Sequence, residues 1–412
     1  MRQILPHTGG YMSFLLIFLE VGLMKNLFPM KLSKIIFPAI LFLVAATSIL
    51  LYCIRRGECA NPSDWTIGNF VQMNSSDSVV TQDGSGIFYC PASQNNVCWE
   101  NGEIINSSAI VRHDSLFLFF SVSEYAGINA EQAVSRVGYS VSTDGIHFKR
   151  IVRPVLYPDR DQQIDYEWMG GCEAPRVSET NDGRYLMFYT QCNRSCKRLA
   201  VATSSDLKTW TKHGPIFRKA YNGKYGNTDS KFASIVSRVV KGKPFVQKIN
   251  GKYYLYWGSD NLYAAVSENL IDWIPVEDEN GDLKKILSPR NNSFDSNLIA
   301  SGPSAVMTSK GIVLFYSGQN REGAFGDKSY PGQMLGGGQA LFSAQKPEKL
   351  LARSDQPFVY FKDILGKNTN NRSTPLFLQG LACFKGKWYL FYGNRGLPAR
   401  IAVCNLKDSE LF

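Results

Sequence analysis

The chain has 412 residues, 44% hydrophobic and 19% charged, so it is neither a disordered polypeptide nor a small disulfide-stapled scaffold, and one large or two ordinary domains fit. Its formal charge is +10, but six basic residues against one acidic fall within the first 56 positions and account for half of that excess. The remainder is weakly basic with no dense Lys/Arg run, so nucleic acid is not an expected partner.

From the N terminus, the first element is an uncharged run over 35–54 (IIFPAILFLVAATSILLYCI). At about 1.5 Å per residue, such a helix spans roughly the 30 Å hydrocarbon core. It predicts one transmembrane signal anchor, with 1–34 as a cytoplasmic tail and the C-terminal part lumenal or extracellular, in the secretory pathway. A cleaved signal peptide is the rival reading, because MKLSK from Met30 supplies a basic start ahead of the same stretch. Orientation rests on five Asn-x-Ser sequons and eight of nine cysteines, all C-terminal to the run. Glycosylation is expected at Asn74, Asn193, Asn291 and Asn371; the sequon at Asn106 points inward on the fold argued below. Residues 55–98 read as a stem and entry segment. The spacings of Cys90 with Cys98 and of Cys192 with Cys196 predict two short-loop disulfides. Only four His occur and none clusters with Cys, so no metal is expected.

Five segments then share a small turn followed by an aromatic strand: HDSLFLFFS (113–121), NDGRYLMFYT (181–190), INGKYYLYWG (249–258), SKGIVLFYSG (309–318) and FKGKWYLFYG (384–393). Short strand-like stretches precede them (SSAIV, APRVSE, KPFVQK, GPSAVMT and QGLACF), so each pair reads as a hairpin. A further strand follows each, as in VGYSVSTDGIHF and LAVATSSDLKTW. The turns recur at intervals of 60 to 75 residues. Four strands repeated five times predict an all-β, five-bladed β-propeller over 99–412, which leaves only short sheet edges. The residues just before each hairpin line the central axis, and chemistry is to be sought there.

With these elements in register, the chain resembles glycoside hydrolase family 130, the mannoside phosphorylases and mannosidases, from about Trp99 to Val403. The resemblance rests on STDGIHF, PVLYP, WMGGCEAPRV, LAVATSSDLKTWTKHGP, KINGKYYLYWG, FDSNLIASGPSAVMTSKGIVLFYSG, GGGQALF and KGKWYLFYG. It implies inverting cleavage of a β-mannoside-type oligosaccharide, with no cofactor and with inorganic phosphate as co-substrate in a phosphorylase. It also implies three carboxylates, at positions that here hold Ala174, Ala300 and Gln379. In arabinanase-like five-bladed enzymes, a phrase like Glu173-Ala174-Pro175 supplies the general acid, which makes Glu173 the candidate acid here; the matching base position offers Asn106, whose amide takes no proton.

Arg176 is a candidate for gripping a sugar hydroxyl or phosphate, or for balancing Glu173. Lys248, Asp260, Asp295 and Gln339 are further substrate-contact candidates, each with an ordinary strand or turn role as the alternative. Trp257 is a candidate stacking platform or a core residue. Two functions stand: a membrane-anchored glycosidase or phosphorylase, and a sugar-binding propeller that has lost its catalytic acids.

Overall fold

The computed structural model describes residues 65–73, 86–101, 104–124, 133–360, 377–393 and 400–406, all within one compact unit spanning Asp64–Phe412. The predicted membrane segment and the sequons at Asn74 and Asn371 lie outside the described residues. Among the described residues no helix is long and apolar enough to cross a membrane.

Each aromatic segment forms the second strand of an antiparallel sheet. Sheet 1 runs Ile104–Arg112, Ser115–Glu124, Val134–Ser142 and Lys149–Arg150. Sheet 2 runs Gly171–Glu179, Tyr185–Cys192, Lys197–Ser204 and Thr211–Pro215. Sheet 3 contains Ala233–Val240, Lys252–Trp257 and Leu262–Ser267, with Ile274–Pro275 and Lys285–Leu287 sharing its outer edge. In sheet 4 the inner strand is broken into Leu298–Ser301 and Ala305–Thr308; Gly311–Gln319 and Leu335–Phe342 follow, and Leu350–Arg353 and Val359–Tyr360 form the outer edge. Sheet 5 contains Phe377–Phe384, Lys387–Gly393, Arg400–Asn405 and, as its outermost strand, Val71–Gln72.

The second strands are buried on both faces, because each sheet packs between two others, and so they read as near-continuous apolar runs. Parallel pairings join successive sheets at Ser135 with Gly171, Glu179 with Phe245 and Val236 with Ala305. Leu378 N–H donates to Ser317 Oγ (2.8 Å) between sheets 4 and 5, and Ser107 N–H donates to Gln379 Oε1 (2.9 Å) between sheets 5 and 1. The result is a closed, propeller-like ring. The repeated phrases STDGIHF, SSDLKTW and SENLIDW form one recurring turn. In the first, Ser142 Oγ accepts from Gly145 N–H (2.8 Å) while Asp144 Oδ1 accepts from Ile146 and His147 (2.9 and 2.8 Å). Ser204 with Asp206 and Ser267 with Asn269 repeat that arrangement.

Three expectations need correction. Neither predicted disulfide forms. In the hairpin Ile87–Cys90 with Asn95–Cys98, Cys90 faces Asn95 and Cys98 faces Ile87, so the two cysteines lie at opposite ends, about 10 Å apart along the strands. Cys192 is the register partner of Lys197, so Cys196, one residue earlier, turns to the other side, with its Sγ at the Asn227 carbonyl (3.2 Å). Part of the supposed stem is sheet, because Val71 and Gln72 pair with Val403 and Ala402. In the third repeat the inner strand is Ala233–Val240, and KPFVQK is the return of a hairpin inserted ahead of the aromatic strand. Trp257 is buried against Phe217 and Tyr263 and belongs to the core.

Candidate functional site

The inner strands share an irregularity at one level. Register shifts fall between Ile105 and Ser108, between Glu173 and Arg176, and between Leu378 and Gly380; in sheet 4 the inner strand is interrupted at Gly302-Pro303-Ser304. Asn106, Ala174 and Phe232 take left-handed backbone at φ 52, 54 and 55. For residues other than glycine that conformation costs on the order of 1–3 kcal/mol each, and it persists only where the surroundings enforce it. Here neighbouring sheets enforce it: Ala174 N–H donates to Ser121 Oγ (2.8 Å), Val177 N–H to Ser108 Oγ (2.9 Å), and the Ser107 hydroxyl to Gln379 Oε1 (2.7 Å). Gly171, at φ 102, opens the strand that carries Glu173; a Cβ there would sit 2.1 Å from the Ser135 carbonyl oxygen. Bulges of this kind re-aim side chains, and three of them, with the break in sheet 4 and the left-handed Phe232 at the head of sheet 3, open the heads of the inner strands into one mouth.

At that mouth the Glu173 carboxylate is bonded to the Lys197 ammonium at 2.8 Å, with side-chain exposures of 16% and 39%. Lys197 is the first residue of the third strand of sheet 2, and its backbone N–H donates to Asp229 Oδ1 (2.8 Å). Burial pulls the Lys197 ammonium down, and the Glu173 carboxylate more than offsets this, leaving it above the usual lysine value. Beneath lies Arg176, 2% exposed, its Nε donating to the Gly302 carbonyl (3.3 Å) and one terminal nitrogen to the Pro175 carbonyl (2.9 Å). Its other terminal nitrogen is buried without a partner among the described residues. Among the described residues no carboxylate faces the guanidinium, and burial lowers its pKa to about 10. It lies 5.7 Å from the centre of the Phe232 ring. Phe232 joins Ala174 and Ala300 in an apolar patch, with Leu298 and Phe377 packed against it and the two phenylalanine rings 5.0 Å apart.

The segment leading to Glu173 is anchored from behind. It passes through the short helix α1 (Ile164–Glu167), whose last residue is fully buried. Glu167 accepts hydrogen bonds from Tyr189 Oη and Gln191 Nε2 (3.0 Å each) and pairs with Lys212 Nζ (2.6 Å). Burial pushes its carboxyl up, with Lys212 opposing.

The mouth thus gathers Asn106, Glu173 and, deep in its floor, Arg176, with Ala174, Ala300 and Gln379 where the resemblance led to carboxylates. Gln379 is a buried amide occupied by Ser107. Asp260 stands at the same level, on the turn after Trp257. The other candidates lie elsewhere. Asp295 is fully buried, paired with Arg290 (3.0 Å) and Arg353 (2.7 Å) and hydrogen-bonded by Tyr316 Oη (2.7 Å). Gln339 clamps the Ile67 backbone, accepting its N–H and donating to its carbonyl (2.9 Å each). Lys248 sits by the Asn250-Gly251 turn at the opposite end of its sheet, exposed, with its ammonium 4.9 Å from the Tyr253 ring centre. Lys197 carries no mark in the sequence, because it lies off the inner strands, at the start of the third strand of its sheet. Sequence reasoning missed Phe232 because the third inner strand was misplaced. Among the described residues no three His, Cys, Asp or Glu converge as metal ligands.

A family model described as beta-1,4-mannooligosaccharide phosphorylase matches residues 77–393. A solved glycosyl hydrolase from Bacteroides ovatus is 42% identical over 84% of this chain and 96% of its own, with a TM-score of 0.78. A second solved structure, described as "The GH130 family of mannoside phosphorylases contains glycoside hydrolases that target beta-1,2 mannosidic linkages in Candida mannan", is 42% identical over 83% of this chain and 95% of its own, with a TM-score of 0.79. The 1,2-beta-oligomannan phosphorylase of Thermoanaerobacter sp. (strain X514) is 26% identical over 75% of this chain and 92% of its own length.

Proposed function

Because the chain belongs to glycoside hydrolase family 130, we propose that it cleaves β-mannosidic bonds and that water, not phosphate, is the attacking group. The observation that carries this reading is the Glu173–Lys197 pair at the mouth (2.8 Å). Phosphorolysis needs cations free to grip a phosphate, and here the half-exposed ammonium is already bonded to a carboxylate whose charge repels one. Arg176 carries only one unused donor, its other nitrogens being bonded to the Gly302 and Pro175 carbonyls, and a single donor does not cage the several oxygens of a phosphate. In hydrolysis the same carboxylate is useful. Lys197 holds the carboxylate at the mouth with one oxygen engaged, where it can orient a water and accept its proton, so we assign Glu173 the base role in place of the acid role suggested by its phrase. The floor suits a mannose ring, because the half-buried Phe377 offers apolar surface to its C–H face and Arg176 offers one donor to a hydroxyl. The 42%-identical relatives named as hydrolases support water as the attacking group, against 26% for the phosphorylase.

The test is product analysis with β-1,2-mannobiose, with and without inorganic phosphate. The expected outcome is mannose released at the same rate in both, the new reducing end appearing first as the α anomer, as inversion requires. Mannose 1-phosphate as product would sink the hydrolytic reading, and tight binding without turnover would return the sugar-binding module.

A further inference from the structure

Hydrolysis with inversion needs two carboxyl groups, and the heads of the inner strands supply one. The second comes from a neighbouring turn. The chain leaving Trp257 passes through Gly258-Ser259-Asp260 and is fixed on both sides. Gly258 N–H donates to the Lys231 carbonyl (2.9 Å), at the head of sheet 3, and Ser301 N–H donates to the Gly258 carbonyl (3.1 Å), at the head of sheet 4. Ser259 bridges Ala300, and Asp260 N–H donates to the Ile299 carbonyl (2.8 Å). Gly258 itself, at φ 118, could carry no side chain, since a Cβ would lie 2.6 Å from the Asn261 carbonyl oxygen.

Asp260 is held at φ 68, exposed, and its carboxylate makes no hydrogen bond or ion pair among the described residues. A turn-forming aspartate ordinarily bonds the N–H groups that follow it, as Asp144 and Asp206 do in their own turns. Asp260 bears the strain without that return. Backbone strain at such a position commonly marks a functional group held in place by its surroundings. Its neighbour across the bridge, Ala300, is one end of the apolar patch, and Ala174, the residue after Glu173, is the other. The two carboxylates therefore flank one patch, brought there by different sheets.

We infer that Asp260 is the general acid of the reaction, delivered by the turn of sheet 3 to the place beside Ala300. This rests on the hydrolytic reading above. As the bond from C1 to the glycosidic oxygen breaks, the Asp260 carboxyl gives its proton to that oxygen. A water oxygen bonds C1 from the opposite face and Glu173 takes the water proton, which returns to Asp260 through solvent.

The test compares full-length wild type, Asp260→Asn and Glu173→Gln on β-1,2-mannobiose and on 2,4-dinitrophenyl β-mannoside, whose leaving group needs no proton. Asparagine tolerates left-handed backbone, so Asp260→Asn keeps the turn, which circular dichroism checks. The expected result is that Asp260→Asn loses about 10²- to 10⁴-fold in kcat on mannobiose and stays within about tenfold of wild type on the dinitrophenyl glycoside, while Glu173→Gln loses on both. Equal losses of Asp260→Asn on the two substrates, or wild-type activity on mannobiose, would overturn the assignment and leave hydrolysis standing. A wild type that hydrolyses neither substrate would overturn both.

Discussion

At the scale of the residue, Arg176 separates function from stability. A guanidinium that is buried without a carboxylate and with one terminal nitrogen unbonded among the described residues is a cost to folding. An unsatisfied buried donor costs about 1–3 kcal/mol, more when charged. Arg176→Met keeps the length of the side chain, removes the orphan donor and still packs against Phe232. It is expected to melt at or above the wild-type temperature while losing on the order of 10²-fold in kcat/KM on a β-mannoside, because the donor reserved for the sugar is gone. Unchanged hydrolysis with a raised melting temperature would make Arg176 a tolerated burden. Glu173 and Arg176 were legible in the sequence because they sit on an inner strand inside a recognisable phrase. Lys197 was not, because the pairing of Glu173 with a third-strand residue 24 positions away is decided by sheet register.

At the scale of the element, second strands and repeated turns were legible because each is fixed locally, by continuous apolar residues and by Ser and Asp side chains bonding the next few N–H groups. The third inner strand was not, since ASIVSRVV and KPFVQK are equally strand-like and only tertiary pairing assigns one to the axis. The edge strand Thr211–Pro215 carries a titratable group whose sign is definite. His213 shares a hydrogen bond with Thr203 Oγ1 through Nε2 (2.8 Å). Burial, then Arg218 and Arg184, push its pKa below the ordinary 6.5, with Asp272 opposing. The folded chain therefore binds this proton less readily than the unfolded chain. The associated stability is complete above that ordinary value and is lost as pH falls from it towards the lowered folded value. Melting temperature should decline between about pH 7 and pH 5, before most carboxylates titrate, and His213→Gln should flatten that decline. An identical slope in the variant would assign the loss to other groups.

At the scale of the whole molecule, the ring is closed by its ends, and this was half legible. Five repeats predict that the last sheet meets the first, but nothing in the sequence marks Val71–Gln72 as a strand, because two exposed residues carry no periodic signal. Their placement comes from the chain on either side. Ile67 is buried in the core cluster between sheets 4 and 5, with Trp65 and Phe70 packed against it, and both polar groups of its backbone are held by Gln339. Beginning the chain at Asn74 in place of Asp64 removes all of these contacts. A fully buried apolar side chain contributes about 1.5–3 kcal/mol, and leaving the Gln339 amide buried and unbonded costs about 1–3 kcal/mol more. The outer edge of Arg400–Asn405 would then be open, which invites association with other chains. The 74–412 chain is thus expected to melt well below 64–412, or to aggregate. Gln339→Leu in the longer chain isolates the clamp, and should lower the melting temperature while leaving kcat/KM on β-1,2-mannobiose within a few-fold, since Gln339 stands away from the mouth. Equal melting of the two chains would mean that sheet 5 is complete with three strands; a loss of activity without a loss of stability in Gln339→Leu would mean that this amide serves the site after all.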